Sequence, residues 1–233
     1  MSFDIIFISF NESNAEINWK TVVDRFPKAK RLCNIKGIHR AHFIAANMVS
    51  TDLFYVIDGD ATILPEFNFD YKVDSNQLDW VHVFRAKNPI NDLVYGYGGV
   101  KLLPTDKVMT LFEHKLKPDM TSSIPNIKYN VVHQISNITN FNTSPFNTWR
   151  SAFRECTKLS SKVIDRQKSN ETEERLNVWC TVGSEKMFGE FALDGAKKGR
   201  EYGYKNKNDN DKLFLINDLN WMIRKYRELN GGL

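Results

Sequence analysis

Long apolar runs are missing from this 233-residue sequence: no stretch approaches the ~20 residues that a membrane-spanning helix needs. The first apolar stretch, Phe3 to Phe10, is short, carries Asp4 and has no basic segment ahead of it. It reads as a core strand, not a secretory leader, and a cytoplasmic protein without a membrane partner is expected. Cysteine is scarce. Cys33, Cys156 and Cys180 are odd in number and far apart, which excludes a zinc spacing and a disulfide framework and fits a reducing compartment. The sequons at Asn137, Asn142 and Asn170 then have no meaning. Internal repeats are lacking, and no composition break marks a second domain, so one domain is expected over 1–233. Strong charge bias is absent too. The formal charge of +4 admits an anionic partner, nucleotide or nucleic acid, yet is ordinary for a cytoplasmic protein. The balance of 42% hydrophobic to 26% charged residues excludes global disorder.

What is present is an alternation of strands and helices in the N-terminal third. Phe3–Phe10 is apolar and β-branched, as a buried strand should be. Asn11, Ser13 and Asn14 offer loop and N-cap chemistry before a helical run bearing Ile17, Val22, Val23 and Phe26, which Pro27 stops. Lys30–Ile35 reads as a second strand, His39–Val49 as a second helix and Leu53–Ile57 as a third strand. This order predicts a parallel sheet with right-handed crossovers, and ligands collect beyond the carboxyl ends of such strands. Further on, Trp80–Arg85 reads as a strand, Val100–Leu103 as a short apolar stretch closed by Pro104, and Thr105 as the cap of a helix to about His114. The Asn-, Ser-, Thr- and Pro-rich segment Lys117–Asn147 predicts short strands and long loops. Thr148–Lys162 is the clearest helix of the second half, with Trp149 and Phe153 on a core face. Lys205–Lys212 reads as a solvated loop before a last helix over Asp211–Leu229.

The sharpest motif is Asp58-Gly59-Asp60, directly after the strand Phe54-Tyr55-Val56-Ile57. Two carboxylates one residue apart at a strand end can face one hard cation, and Mg²⁺ or Mn²⁺ prefers such oxygen ligands together with substrate phosphates. Gly59 permits close approach. A plain turn in which the two aspartates cap the backbone is the bland alternative. Asp58-x-Asp60-x-Thr62 also fits a haloacid-dehalogenase-like phosphatase with Asp58 as nucleophile. Two strand–helix units precede the motif, however, and no later apolar strand ends in Asp-Asp. An EF-hand is excluded because its twelfth position would be Phe69.

Other residues have weaker signals. Lys36, His39 and Arg40 stand at an expected helix N-terminus, where backbone N–H groups attract phosphate. Tyr95, Tyr97, Gly98 and Gly99 form an aromatic, glycine-rich segment able to floor a sugar or base, or simply a turn with half-buried tyrosines. Arg150, Arg154 and Lys158 make a basic stripe, suited to diphosphate or a DNA backbone, although a solvated helix face explains Lys158 better.

Taken together, Phe3–Asp60 resembles the nucleotide-binding half of GT-A glycosyltransferases, over about a quarter of the chain. The resemblance implies an α/β, Rossmann-like GT-A fold with a mixed central sheet. It makes 1–104 the nucleotide-sugar-binding half and 105–233 the acceptor-binding half. It implies a donor loop at Ser9, Phe10, Asn11 and Glu12, a donor-side helix start at Lys36–Arg40, and Asp58, Gly59 and Asp60 at a nucleoside-diphosphate sugar, expected to be a UDP-sugar. Mn²⁺ or Mg²⁺ would be held by Asp58 and Asp60, with His133 as a late third ligand. Tyr95–Lys101 together with Trp149–Glu155 looks like small bacteriophage glycosyltransferases, some of which place glucose or arabinose on hydroxymethylated cytosine in DNA. Double-stranded DNA is therefore the preferred acceptor, its target base flipped out; a glycan or small molecule is the alternative. A binding module without catalysis is the reading from another class. For the catalytic base the candidates are Glu155, Glu190 and Asp194, the last preferred because Gly195 follows it in an expected loop.

Overall fold

The computed structural model describes residues 2–96, 98–164 and 168–231. The elements run β1 Asp4–Ser9, α1 Ala15–Arg25, β2 Lys30–Cys33, α2 Ile38–Ala46, β3 Leu53–Asp58, β4 Ala61–Ile63, β5 Val81–Lys87, β6 Val94–Tyr95, β7 Val100–Pro104, α3 Thr105–Met109, β8 Tyr129–Thr139, α4 Pro145–Ser161, α5 Ser169–Thr181, α6 Gly189–Asn206, α7 Asn210–Phe214 and α8 Leu219–Leu229. They group into two compact units. One holds Met1–Asn88, Val94–Leu116 and Ser123–Asn140; the other holds Pro89–Leu93, Lys117–Ser122 and Phe141–Leu233.

The first unit is α/β with a mixed, Rossmann-like sheet in the order β2-β1-β3-β7-β5-β8-β4, with β6 beside β5. β1 lies parallel to both β2 and β3, as the strand–helix alternation predicts. β7 then inserts antiparallel between β3 and β5. Five consecutive buried residues, Leu53 to Ile57, make β3 a central strand covered on both faces. Tyr55, Phe67, Phe69 and Phe84 pack edge to face or tilted beneath the sheet. In α1, Ala15, Asn18 and Val22 recur at helical spacing and are the residues it buries.

Several expected boundaries move. The segment Lys117–Asn147 contains an eleven-residue strand, β8, not a series of short ones. Its polar composition hid it because most of its side chains stay partly or fully exposed. The helix from Thr105 lasts five residues and gives way to a 3₁₀ turn at Leu111–Glu113. The described residues contain no helix long and apolar enough to cross a membrane.

The second unit is helical. The expected loop over Lys205–Lys212 is instead the end of α6 and the start of α7. The last helix divides, since Asp218 accepts a hydrogen bond from the Trp221 amide and caps α8 as a separate element. Trp149 and Phe153 are core, as expected, stacked on each other and packed with Tyr202, Trp221 and Tyr226. Lys158 corrects the solvated-face reading: it pairs with Asp119 at 3.0 Å, both side chains largely covered. Burial would raise the Asp119 carboxyl, but the Lys158 ammonium outweighs it and holds the group far below its usual range. Cys156 and Cys180 are buried and unbridged, and Cys33 is exposed.

α4 and α6 approach so closely that Gly195, Gly199 and Gly203 face the carbonyls of Trp149, Phe153 and Thr157, where a Cβ would meet main-chain atoms. Backbone cannot step aside as a flexible side chain can. Gly199→Ala is therefore expected to cost about 2–3 kcal/mol, a drop of roughly 5–10 °C in Tm. Lys197→Ala, exposed on the same helix, should stay within ~1 °C. Thermal denaturation of both variants checks this, and equal effects would overturn it.

Candidate functional site

The sheet topology itself puts the Asp58-Gly59-Asp60 turn beside the end of β1. In the parallel ladder Ile8 is the partner of Asp58, so the chain after Ser9 emerges next to the turn. Asn11 takes a left-handed conformation at φ 65° and swings the loop back. The Phe10 amide donates to Glu12 Oε2, and that same oxygen would lie 2.6 Å from a Cβ at position 59. Ser9 Cβ would lie 2.9 Å from it. Gly59 is thus required by contact with Ser9 and Glu12, and the expected donor loop and the acidic motif form one cluster.

On the other side, β7 brings Gly99 and Lys101 to Asp58. The Asp58 amide donates to Gly99 O at 2.8 Å, and the Gly99 amide donates to Asp58 Oδ2 at 3.0 Å. Lys101 Nζ lies 3.4 Å from the same oxygen, while a third of the Asp58 side chain remains open to solvent. Gly98 and Gly99 have φ of 148° and 84°, and a Cβ at position 98 would lie 3.6 Å from Asp58 Oδ2. Any side chain at position 99 would collide with Asn137. These two glycines therefore belong to the wall of the acidic motif. Of the other residues expected in the acceptor floor, Tyr95 is buried in β6 and Tyr97 lies outside the described residues.

The two aspartates differ electrostatically. Burial would push the Asp58 carboxyl up, but the Lys101 ammonium, the nearby His42 ring and the Gly99 N–H together outweigh it and hold it below the usual carboxylate range. At Asp60 the balance reverses: burial, then repulsion from Asp58 and Glu12, outweighs a backbone N–H and the Lys101 charge and pushes it up to about 7. Near neutral pH the turn therefore carries one firm negative charge and one that a proton partly cancels.

α2 adds a second flank. Gly37, at φ 96°, turns the chain into the helix, and Lys36 and Arg40 are exposed at its start. His39 is buried, with Nε2 3.0 Å from Ser123 Oγ. One turn on, His42 Nδ1 faces the Ile38 carbonyl at 2.8 Å, which places the proton there and leaves Nε2 as a bare acceptor. Burial first, then Lys101, lowers His42 to about 4, so it stays neutral.

The remaining expected residues are dispersed. His133 is exposed on β8, a strand and not a loop. Arg150 and Arg154 lie on α4 in the helical unit, where Arg154 donates to Asn217 Oδ1 at 3.0 Å. Glu155 is buried on the same helix, and Glu190 is exposed in the first turn of α6. Asp194 corrects the loop expectation: it lies inside α6 and accepts from Trp149 Nε1 at 2.8 Å and Lys198 Nζ at 2.9 Å. Among the described residues no group of three or more His, Cys, Asp or Glu side chains is arranged to hold a metal ion. The residues present fit an ion in a different way. Two carboxylates, one of them raised to about 7 by burial and then by like charge, would suit a cation that waters and substrate phosphates complete. Sequence reasoning assigned no role to Lys101 or His42; both reach Asp58 only through strand and helix placement.

No family model matches the sequence, and no curated protein sequence matches it. Among solved structures, the chain is similar to one described as a glucose-1-phosphate thymidylyltransferase from Bacillus anthracis in complex with sucrose. The identity is 14% and the TM-score 0.36, over 56% of this chain and 68% of that one. A likeness so slight has no bearing on fold, donor or reaction.

Asp60 provides a pH test. Its folded value, about 7, lies above the unfolded 3.8, so the native state holds the extra proton and metal-free stability falls as pH rises between those values. Asp60→Asn should therefore stabilise the protein in EDTA at pH 8 by roughly 1–2 kcal/mol, discounted for contact with water, and clearly less at pH 4.5. Melting curves at both pH values decide it; a gain independent of pH would rule out the repulsion.

Proposed function

We propose that the chain is a divalent-cation-dependent glycosyltransferase that takes its sugar from a nucleoside diphosphate, with uridine diphosphate as the leaving group. The observation that supports this best is the pairing of Asp58 and Asp60 at the carboxyl end of β3, flanked by the Ser9–Glu12 loop and within electrostatic reach of His42 on α2. Open parallel strands place ligands at such ends. Asp58 and Asp60 would hold Mn²⁺ or Mg²⁺, which would supply positive charge toward the departing diphosphate. Lys101 keeps the Asp58 carboxylate anionic. Asp60, at about 7, would have to be deprotonated to hold the cation, so acid would compete with the metal. Lys36 and Arg40 lie where helix N–H groups favour phosphate.

The acceptor is a hydroxyl. Hydroxymethylated cytosine in DNA is the preferred form, and its support is the resemblance of Tyr95–Lys101 and Trp149–Glu155 to small bacteriophage glycosyltransferases. A glycan or small-molecule hydroxyl is the other arm of the test. Asp194, Glu155 and Glu190 remain the candidates for the base.

Purified protein incubated with a panel of uridine-diphosphate sugars and Mn²⁺ should release uridine diphosphate. EDTA should abolish release, and Asp58→Ala should slow it by roughly a hundredfold or more. Hydroxymethylated DNA should accelerate release over plain DNA, more so at low salt. Release of pyrophosphate from a nucleoside triphosphate and a sugar phosphate would convert the reading to nucleotidyl transfer. Hydrolysis of simple phosphate esters without a sugar donor would make Asp58 a nucleophile instead.

A further inference from the structure

We infer that Asn18 is a positioning residue that sets the Asp58-Gly59-Asp60 turn for its cation, through a closed set of side-chain hydrogen bonds running from α1 to the end of β8. The inference rests on the cation site proposed above.

The bonds form one circuit. Asn18 is 4% exposed and donates from Nδ2 to the Gly59 carbonyl at 2.9 Å. Its own Oδ1 accepts from Thr62 Oγ1 at 2.8 Å, which fixes the amide's orientation, since only the nitrogen can then face Gly59. Thr62 Oγ1 in turn accepts from Asn140 Nδ2 at 2.8 Å. The Asn140 amide donates to the Asp60 carbonyl at 2.8 Å, and its carbonyl accepts from Asn14 Nδ2 at 2.9 Å. Both carbonyls of the Gly59-Asp60 pair are therefore held, one by a side chain of α1 and the other by the chain leaving β8.

The held atoms matter more than a typical buried bond. Gly59 has no side chain to anchor it, and a larger residue is barred by Ser9 and Glu12. Its peptide must be oriented from outside, and Asn18 and Asn140 supply the donors. Partners of this kind orient ligating carboxylates, and their loss typically weakens metal binding 10- to 100-fold.

The test is Mn²⁺ affinity, read by electron paramagnetic resonance of free Mn²⁺, for the full chain and for Asn18→Asp, Thr62→Val and Thr62→Ser. Asn18→Asp keeps the acceptor for Thr62 but replaces the donated bond to Gly59 with an oxygen. Thr62→Val breaks the circuit one link further out; Thr62→Ser restores its hydroxyl. The expected result is wild-type binding, about tenfold or greater loss in Asn18→Asp and Thr62→Val, and recovery in Thr62→Ser. Faster amide exchange at Asp60 in the metal-free Thr62→Val protein, with amides of β1 and β2 unchanged, would separate a loosened turn from general unfolding. Equal affinity in wild type and all three variants, or loss in Thr62→Ser as deep as in Thr62→Val, overturns the inference and leaves the cation site standing. No Mn²⁺ binding by wild type overturns both together.

Discussion

A reciprocal pair of backbone-linked hydrogen bonds joins the end of β3 to the start of β7, and the candidate site depends on it. The Asp58 amide donates to Gly99 O while the Gly99 amide donates to the Asp58 carboxylate, and Lys101 stands over the same oxygen. One bond extends the β3–β7 pairing by a residue; the other fixes the Asp58 side chain with the same glycine. A carboxylate that accepts from a backbone N–H and a lysine remains anionic where burial would otherwise protonate it. The antiparallel insertion of β7 between β3 and β5 thus defines the site's charge as well as the sheet's order.

The asymmetry between the two aspartates follows from that capture. Lys101 bonds Asp58 directly, and at Asp60 burial and the like charge of Asp58 and Glu12 outweigh what that lysine and the local backbone N–H supply. Energetically, such an arrangement is unfavourable alone and would become favourable with a cation, as carboxylate sites for hard ions do. The cost falls on the turn's backbone, and Asn18, Thr62 and Asn140 hold it there.

The helical unit owes its cohesion to a different constraint. Glycines on α6 let its backbone meet that of α4, and the stacked pair of Trp149 and Phe153 fills the space alongside. Trp149 also donates to Asp194, so the acidic residue preferred as base is tied into this packing. A carboxylate engaged by an indole N–H and a lysine can still act on a substrate, but its position in a helix was invisible to reasoning that took the following Gly195 as a loop signal. Glycine there answers a packing demand and not a turn.

Period and punctuation in the sequence determined β1, α1, β2, α2 and β3 to within a few residues, because apolar stretches, Asn and Ser caps and Pro27 act locally. The same local signals placed Asp58 and Asp60 at a strand end, and helical spacing marked Trp149 and Phe153 as core. The partners of those residues were another matter. That Lys101, Gly99 and His42 flank Asp58, that Glu12 repels Asp60, and that Asn18 holds Gly59 all depend on contacts between segments separated by up to tens of residues. β8 was equally hidden, since its buried positions include the polar Ser136, Asn137 and Thr139 and it has no apolar alternation to betray it. Local chemistry is written in short-range spacing and can be read there. Which strand inserts beside which, and hence which charge meets which, is decided by the summed packing of the sheet, so only the tertiary structure could assign it.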